Sequence, residues 1–320
     1  MTKYIHSVLL LVFFISSCAN AIKDEPTSDK ETPEKVVEEI VEPVHYGVTK
    51  NKTIHEQQDI YGFWVGWFEP DDTVANYDRK GTVYMGEHRP WFRENKITIS
   101  IDTMRDDSVI GHSIVAGNLR RFAGTYSKTK NKFTFNVSEP GDHKYDGAFK
   151  YSIELNGRKL NGTWKANKKI EIPKRKYSLE KKHFEYYPKN IIRDDFADWM
   201  KTKNIKGSYD GFDDLEEMEA YFATTNKVTE LNPSVDVLTQ EQVEKLTKAD
   251  IYILRNSIYA KHGYSFKKRA LRVFFDSHDW YMPVHVNIKR ELTDIEKQNI
   301  KLLLRYEKYA EEYYDEFGRG

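Results

Sequence analysis

The sequence predicts an α+β protein with its two kinds of structure in separate domains: an antiparallel β-barrel-like domain, then a small, mostly α-helical one. Three observations predict it. Short apolar-alternating runs recur between residues 61 and 179, parted by turn residues. Past residue 238 the apolar spacing changes to three and four, with helix-start signals at Thr247 and Thr293. Hydrophobic residues at 39% and aromatics at 14% of 320 residues suffice for roughly two cores.

The chain opens with Lys3, then the apolar run Val8–Ile15, ended by Ser16-Ser17-Cys18. The run is too short to span a bilayer, which needs about 20 apolar residues, and fits the hydrophobic region of a signal peptide. Ile15-Ser16-Ser17-Cys18 resembles the lipobox of bacterial lipoproteins, which implies that residues 1–18 are a lipoprotein signal peptide and that the Cys18 thiol is acylated. Cys18 is the only cysteine, so no disulfide forms within the chain. Residues 19–55 read as a disordered acidic tether: Pro26, Pro33 and Pro43 block long helices, and residues 19–44 contain no aromatic.

Residues 56–190 form the β domain. Its expected strands are Tyr61–Phe68, Lys96–Ile101, Ser108–Val115, Arg121–Tyr126, Lys132–Val137, Ala148–Leu155 and Lys159–Lys165, closed by Ile170–Ile172 and Lys176–Leu179. Asn156-Gly157 between two alternating runs is a hairpin signal. Gly66, Gly111, Gly124 and Gly162, inside strands, suit the sharp bends of a barrel. The triplets Gly62-Phe63-Trp64 and Gly162-Thr163-Trp164 resemble the Gly-x-Trp feature of lipocalin-like barrels, whose interior either holds an apolar ligand or is filled by side chains. Trp64, Trp67, Trp91 and Trp164 are expected in the core.

Residues 191–237 read as a partly helical connector, with short helical faces at Phe196, Trp199 and Met200 and at Asp210–Phe222. In residues 238–314, Thr247-x-x-Asp250 and Thr293-x-x-Glu296 are capping boxes. The first helix carries Ile251, Leu254 and Ile258 on one face, and the second Ile295, Asn299, Leu302 and Tyr306. Gly263 is placed to end the first helix, because glycine accepts the left-handed conformation there.

The stretch from Leu254 to Phe266, with Tyr259-Ala260-Lys261-His262-Gly263 at its centre, resembles the YARHG domain. Phe274-Phe275, Trp280-Tyr281 and the Leu292, Glu296, Asn299 pattern match the family as well. The resemblance implies an extracellular bacterial module with no established activity. Its motif residues are Arg255, Asn256, Tyr259, His262, Gly263, Phe266, Trp280 and Tyr281. Lys261 stands where the family name has Arg, which keeps the charge and loses the two-pronged hydrogen bonding of a guanidinium. Two readings of the motif stand side by side. Arg255, Tyr259 and His262 lie at i, i+4 and i+7 and present a polar recognition patch. Alternatively Arg255 and Asn256 hydrogen-bond loop carbonyls while His262 and Gly263 shape the helix exit.

Charge excludes one class of partner. The chain carries 50 basic and 50 acidic residues, whereas a nucleic-acid footprint needs a concentrated basic surface. No Gly-x-Ser-x-Gly elbow or phosphate-binding loop is present. His88, His112, His143 and His183 share no metal-ligand spacing, and Asp71-Asp72 and Asp106-Asp107 read as solvated turns. The expectation is therefore a non-enzymatic, exported, lipid-anchored cell-envelope protein without a cofactor. It would be moored to the outer membrane on its periplasmic face or the cell surface and engage an envelope glycan or protein. A carrier of a small apolar ligand in the barrel is the alternative, and a cell-wall hydrolase, which needs paired carboxylates or a nucleophile with its base, is the third reading.

Overall fold

Alternation with period two builds the first half of the molecule. The computed structural model describes residues 60–71, 94–154, 158–207 and 216–313. Eight antiparallel strands follow one another in it: β1 (Gly62–Pro70), β2 (Asn95–Arg105), β3 (Ser108–Val115), β4 (Asn118–Lys128), β5 (Lys132–Ser138), β6 (Gly147–Glu154), β7 (Lys159–Ala166) and β8 (Lys174–Lys181). Each pairs with the next, and β1 pairs with β8, so the sheet closes into an up-and-down barrel. The segment with Cys18, the tether of residues 19–55, His88, Trp91 and the Asn156-Gly157 turn lie outside the described residues.

Alternate residues fill the barrel. Ile97, Ile99 and Ile101 of β2, Phe133, Phe135 and Val137 of β5, and Phe149, Tyr151 and Ile153 of β6 share one apolar cluster with Trp64, Phe68 and Trp164. Phe135 and Tyr151 stack at 4.6 Å between ring centroids. The in-strand glycines sit on this inward register. A Cβ on Gly124 would lie 2.1 Å from the Asn136 carbonyl oxygen of β5, so the close approach of β4 and β5 there requires glycine. Asp106-Asp107 joins β2 to β3, and Ala116-Gly117, both at positive φ, joins β3 to β4 as a two-residue hairpin turn.

Two expectations about the barrel are corrected. Ile170–Ile172 does not enter the ladder, because β7 ends at Ala166 and the chain loops over the barrel end before β8 starts at Lys174. Trp67 is not core. Its position has the outward parity, and it is 42% exposed.

The connector expectation is also corrected. Phe196 and Met200 belong to β9 (Phe196–Gly207), which forms an antiparallel hairpin with β10 (Glu216–Ala223). Three residues are too few to fix a period, and here pairing decided. Ala197 and Phe222, at the hairpin base, are buried in the core of the helical domain.

That domain comprises α1 (Lys227–Glu230), α2 (Gln240–Glu244), α3 (Lys248–Lys261), α4 (Arg269–Asp276) and α5 (Asp294–Tyr313). Helix α3 is capped by the expected Thr247–Asp250 box and is buried on most of its circumference. Helix α5 starts with the Thr293–Glu296 box. Its inward face is Glu296, Asn299 and Leu303, whereas Ile295 is exposed. The apolar spacing had placed Ile295 on the core side. The polar pair Glu296 and Asn299 turns the helix instead, because both make buried hydrogen bonds. Asn299 accepts from the Leu238 amide and donates to the Pro233 and Asp236 carbonyls.

The two domains share a wall. The outward residues of β2 are polar, yet Lys96, Thr98 and Ser100 are buried. Thr98 donates to the Pro283 carbonyl, and the Lys96 ammonium donates to the carbonyls of Asp276, His278 and Tyr281. Val65 of β1 packs with Met282 and Val284. All described residues belong to one compact unit.

Candidate functional site

The end of the barrel where β1 finishes and β8 begins carries a pocket of about 550 Å³. Its floor is aromatic, made by inward side chains of three strands. Phe68 meets Trp164 edge-on at 5.6 Å, and Phe149 lies 6.4 Å from each. Arg175, which has the inward parity of Tyr177 and Leu179, lies over the Phe68 ring at 5.0 Å and donates to the Phe68 carbonyl.

One wall holds a buried carboxyl. Glu139, just after β5, accepts from the Ser113 hydroxyl at 3.2 Å, the Gly147 amide at 2.7 Å and the Trp164 indole. Burial raises its pKa above the ordinary glutamate value, against the pull of those donors. Glu171 is the second carboxylate in the lining.

Five cationic side chains also line the pocket. Arg120, Lys144, Lys169 and Arg175 come from the barrel domain, and Arg272 comes from α4 of the helical domain. Arg120 is held by Asp146 at 2.7 Å. Arg272 donates through Nη1 to the Phe266 and Lys267 carbonyls. Its buried Nε has no hydrogen-bond partner among the described residues. Burial lowers the Arg272 pKa, partly offset by Asp276.

None of these residues carries a sequence motif. The signal that was there is parity: Arg120 shares the inward register of Phe122 and Gly124 in β4, and Arg175 that of Tyr177 and Leu179 in β8.

The motif residues of the helical domain lie elsewhere and are used internally. Arg255 makes a two-pronged ion pair with Glu307 of α5, at 2.7 and 3.0 Å. Asn256 donates to the Tyr252 carbonyl one turn back. The loop carbonyls expected as their partners are therefore replaced by a carboxylate of α5 and by the backbone of α3 itself. Tyr259 packs edge-on against Tyr264. His262 is buried, stacks on Tyr186 at 4.2 Å and hydrogen-bonds Glu296 at 2.7 Å. Arg255, Tyr259 and His262 do not form one exposed patch.

Gly263 ends α3 as expected, at φ +70°. The Gly263 amide bonds to the Ala260 carbonyl and the Tyr264 amide to the Tyr259 carbonyl, the double closure of a Schellman cap. The Gly263 carbonyl then accepts from the Val284 and His285 amides. Phe266 stacks on Phe275, Tyr281 donates to the Tyr264 carbonyl, and Trp280 donates to the Ile191 carbonyl. Lys261 is buried, with its ammonium on Asn232 at 2.6 Å and its pKa lowered by burial to about 8. One hydrogen bond to an amide oxygen is a role that a lysine fills.

No curated protein and no solved structure matches this chain. The family model described as the YARHG domain matches residues 227–308. The match begins before the boundary expected at 238, in keeping with Asn232, Pro233 and Asp236 being tied to α3 and α5. The helical part of the chain is a YARHG domain, preceded by an eight-stranded antiparallel barrel.

Proposed function

We propose that this protein is a lipid-anchored cell-envelope binding protein, not an enzyme, and that it takes a small ligand into the mouth of its barrel. The pocket is the observation that carries the reading: a cavity of about 550 Å³ with an aromatic floor is of the size and character of small-molecule sites. Below it the barrel is filled by side chains such as Phe135, Tyr151 and Ile153. That supports a ligand held at the mouth, in lipocalin-like fashion, over one swallowed whole. Glu139 has its oxygens engaged by Ser113 and Gly147, which suits a wall more than a catalytic acid. The YARHG domain contributes rigidity through its motif and Arg272 to the rim.

The anchor rests on Ile15-Ser16-Ser17-Cys18 and on the aromatic-free acidic stretch behind it. In this reading the export signal is removed, Cys18 carries the lipid, and the tether lets the folded body reach an envelope glycan, protein or free ligand from the outer membrane. Changing Cys18→Ser should move the protein from the membrane fraction to the soluble fraction and abolish incorporation of labelled palmitate. Unchanged labelling would remove the anchor from the proposal.

Binding is tested with N-phenyl-1-naphthylamine, a neutral dye that brightens in apolar sites. One saturable site per chain is expected. The double change Val115→Trp and Ile170→Trp narrows the mouth and should weaken binding at least tenfold. Absence of saturable binding, or binding untouched by the narrowing, would overturn the mouth as the site.

A further inference from the structure

We infer that the mouth pocket selects a small organic anion with a flat apolar body, and that the YARHG domain supplies part of that selectivity through Arg272. The inference rests on the binding reading above and names the ligand class.

Three features converge on it. The lining holds five cationic side chains against two carboxylates; Arg120 is paired with Asp146 and Glu139 is committed to the barrel wall, which leaves Lys144, Lys169, Arg175 and Arg272 beside Glu171. A concave site with an excess of one sign of charge over a low-dielectric floor focuses its field and concentrates counter-charged ligands. The cations also stand at the edge of the aromatic surface and not apart from it. Arg175 lies on the Phe68 ring, beside Phe149 and Trp164. A ligand with a ring over those aromatics therefore brings a substituent within reach of the guanidinium.

Arg272 adds the third feature. It lines the pocket, with Nη1 held by the Phe266 and Lys267 carbonyls. Guanidinium N–H groups match the paired oxygens of carboxylate, sulfonate or phosphate. Arg272 is on α4, outside the barrel, so the complete rim exists only where both domains are present.

The test uses two dyes with the same rings on the full chain: 8-anilino-1-naphthalenesulfonate, which is anionic, and N-phenyl-1-naphthylamine, which lacks the sulfonate. The anionic dye should bind at least tenfold more tightly. Lys169→Gln and Arg272→Gln should each weaken the anionic dye severalfold and the neutral dye far less. Added salt should weaken the anionic dye alone. Lys169 is exposed, so its variant reads charge without disturbing packing. Equal affinity for both dyes, or rim variants that weaken both alike, would overturn the anion inference while the pocket stood. Failure of the neutral dye to bind saturably would instead bring down the underlying binding reading.

Discussion

Lys96→Met is expected to lower the unfolding free energy by about 3 kcal/mol, from the cost of stranding the partners of a buried cation. Lys96 belongs to β2 of the barrel and is 8% exposed. Its ammonium donates to the Asp276, His278 and Tyr281 carbonyls at 3.2, 3.3 and 2.9 Å. Asp276 is the last residue of α4, so the cation caps a helix C-terminus, where the backbone dipoles favour positive charge. The Trp67 and Tyr281 rings flank it at 5.9 and 5.5 Å. Methionine preserves the volume and removes every donor, which leaves three carbonyls buried without Lys96. The effect has a pH signature. Burial lowers the Lys96 pKa to about 8, against the pull of Asp276. Between pH 8 and 10.5 the unfolded chain therefore holds that proton more tightly than the fold does, and wild-type stability should rise across the window. The rise should be smaller in Lys96→Met. Urea unfolding at pH 7 and across that range measures both, and a loss under 0.5 kcal/mol at pH 7 would refute a stabilising role for the buried Lys96 ammonium.

Lys96 also shows why the domain contact was not legible in the sequence. In β2 the inward residues Ile97, Ile99 and Ile101 are apolar and the outward ones polar, which reads as a solvated outer face. The polar residues are buried because the other domain brings backbone carbonyls to them, and no periodicity records an acceptor supplied from 180 residues away. The barrel itself was legible, since its strands obey alternation with only Ile170–Ile172 misplaced. The β9–β10 hairpin was not, because Phe196, Trp199 and Met200 satisfy a helical spacing that strand pairing overrode. The capping boxes and the Gly263 stop were readable because each is a local exchange of hydrogen bonds within a few residues. The pocket was not, because its members come from strand ends and loops scattered between Phe68 and Arg272. The resemblance located the YARHG motif but left its role open between surface recognition and internal support.

His262→Ala decides between those two roles, with an expected loss of about 3 kcal/mol if the residue holds the fold. Glu296 is 0% exposed, and its carboxylate accepts from Tyr186 at 2.9 Å, His262 at 2.7 Å and the Thr293 amide at 2.9 Å. Tyr186 lies in the segment that leaves the barrel, and it stacks on His262. One imidazole thus joins the end of α3, the start of α5 and the chain entering the domain. Alanine removes one of three donors from a buried charge and the ring on which Tyr186 rests. Burial raises the Glu296 pKa, but His262 and the Thr293 amide outweigh it, and the net position is below 4.5. A carboxylate held below its unfolded value contributes stability that is fully present above pH 4.5 and is lost as pH falls through its folded pKa. The difference between wild type and His262→Ala should therefore be largest near neutrality and shrink in acid. A surface recognition residue would behave otherwise: its alanine variant would unfold within 0.5 kcal/mol of wild type, with no dependence on pH below 4.5.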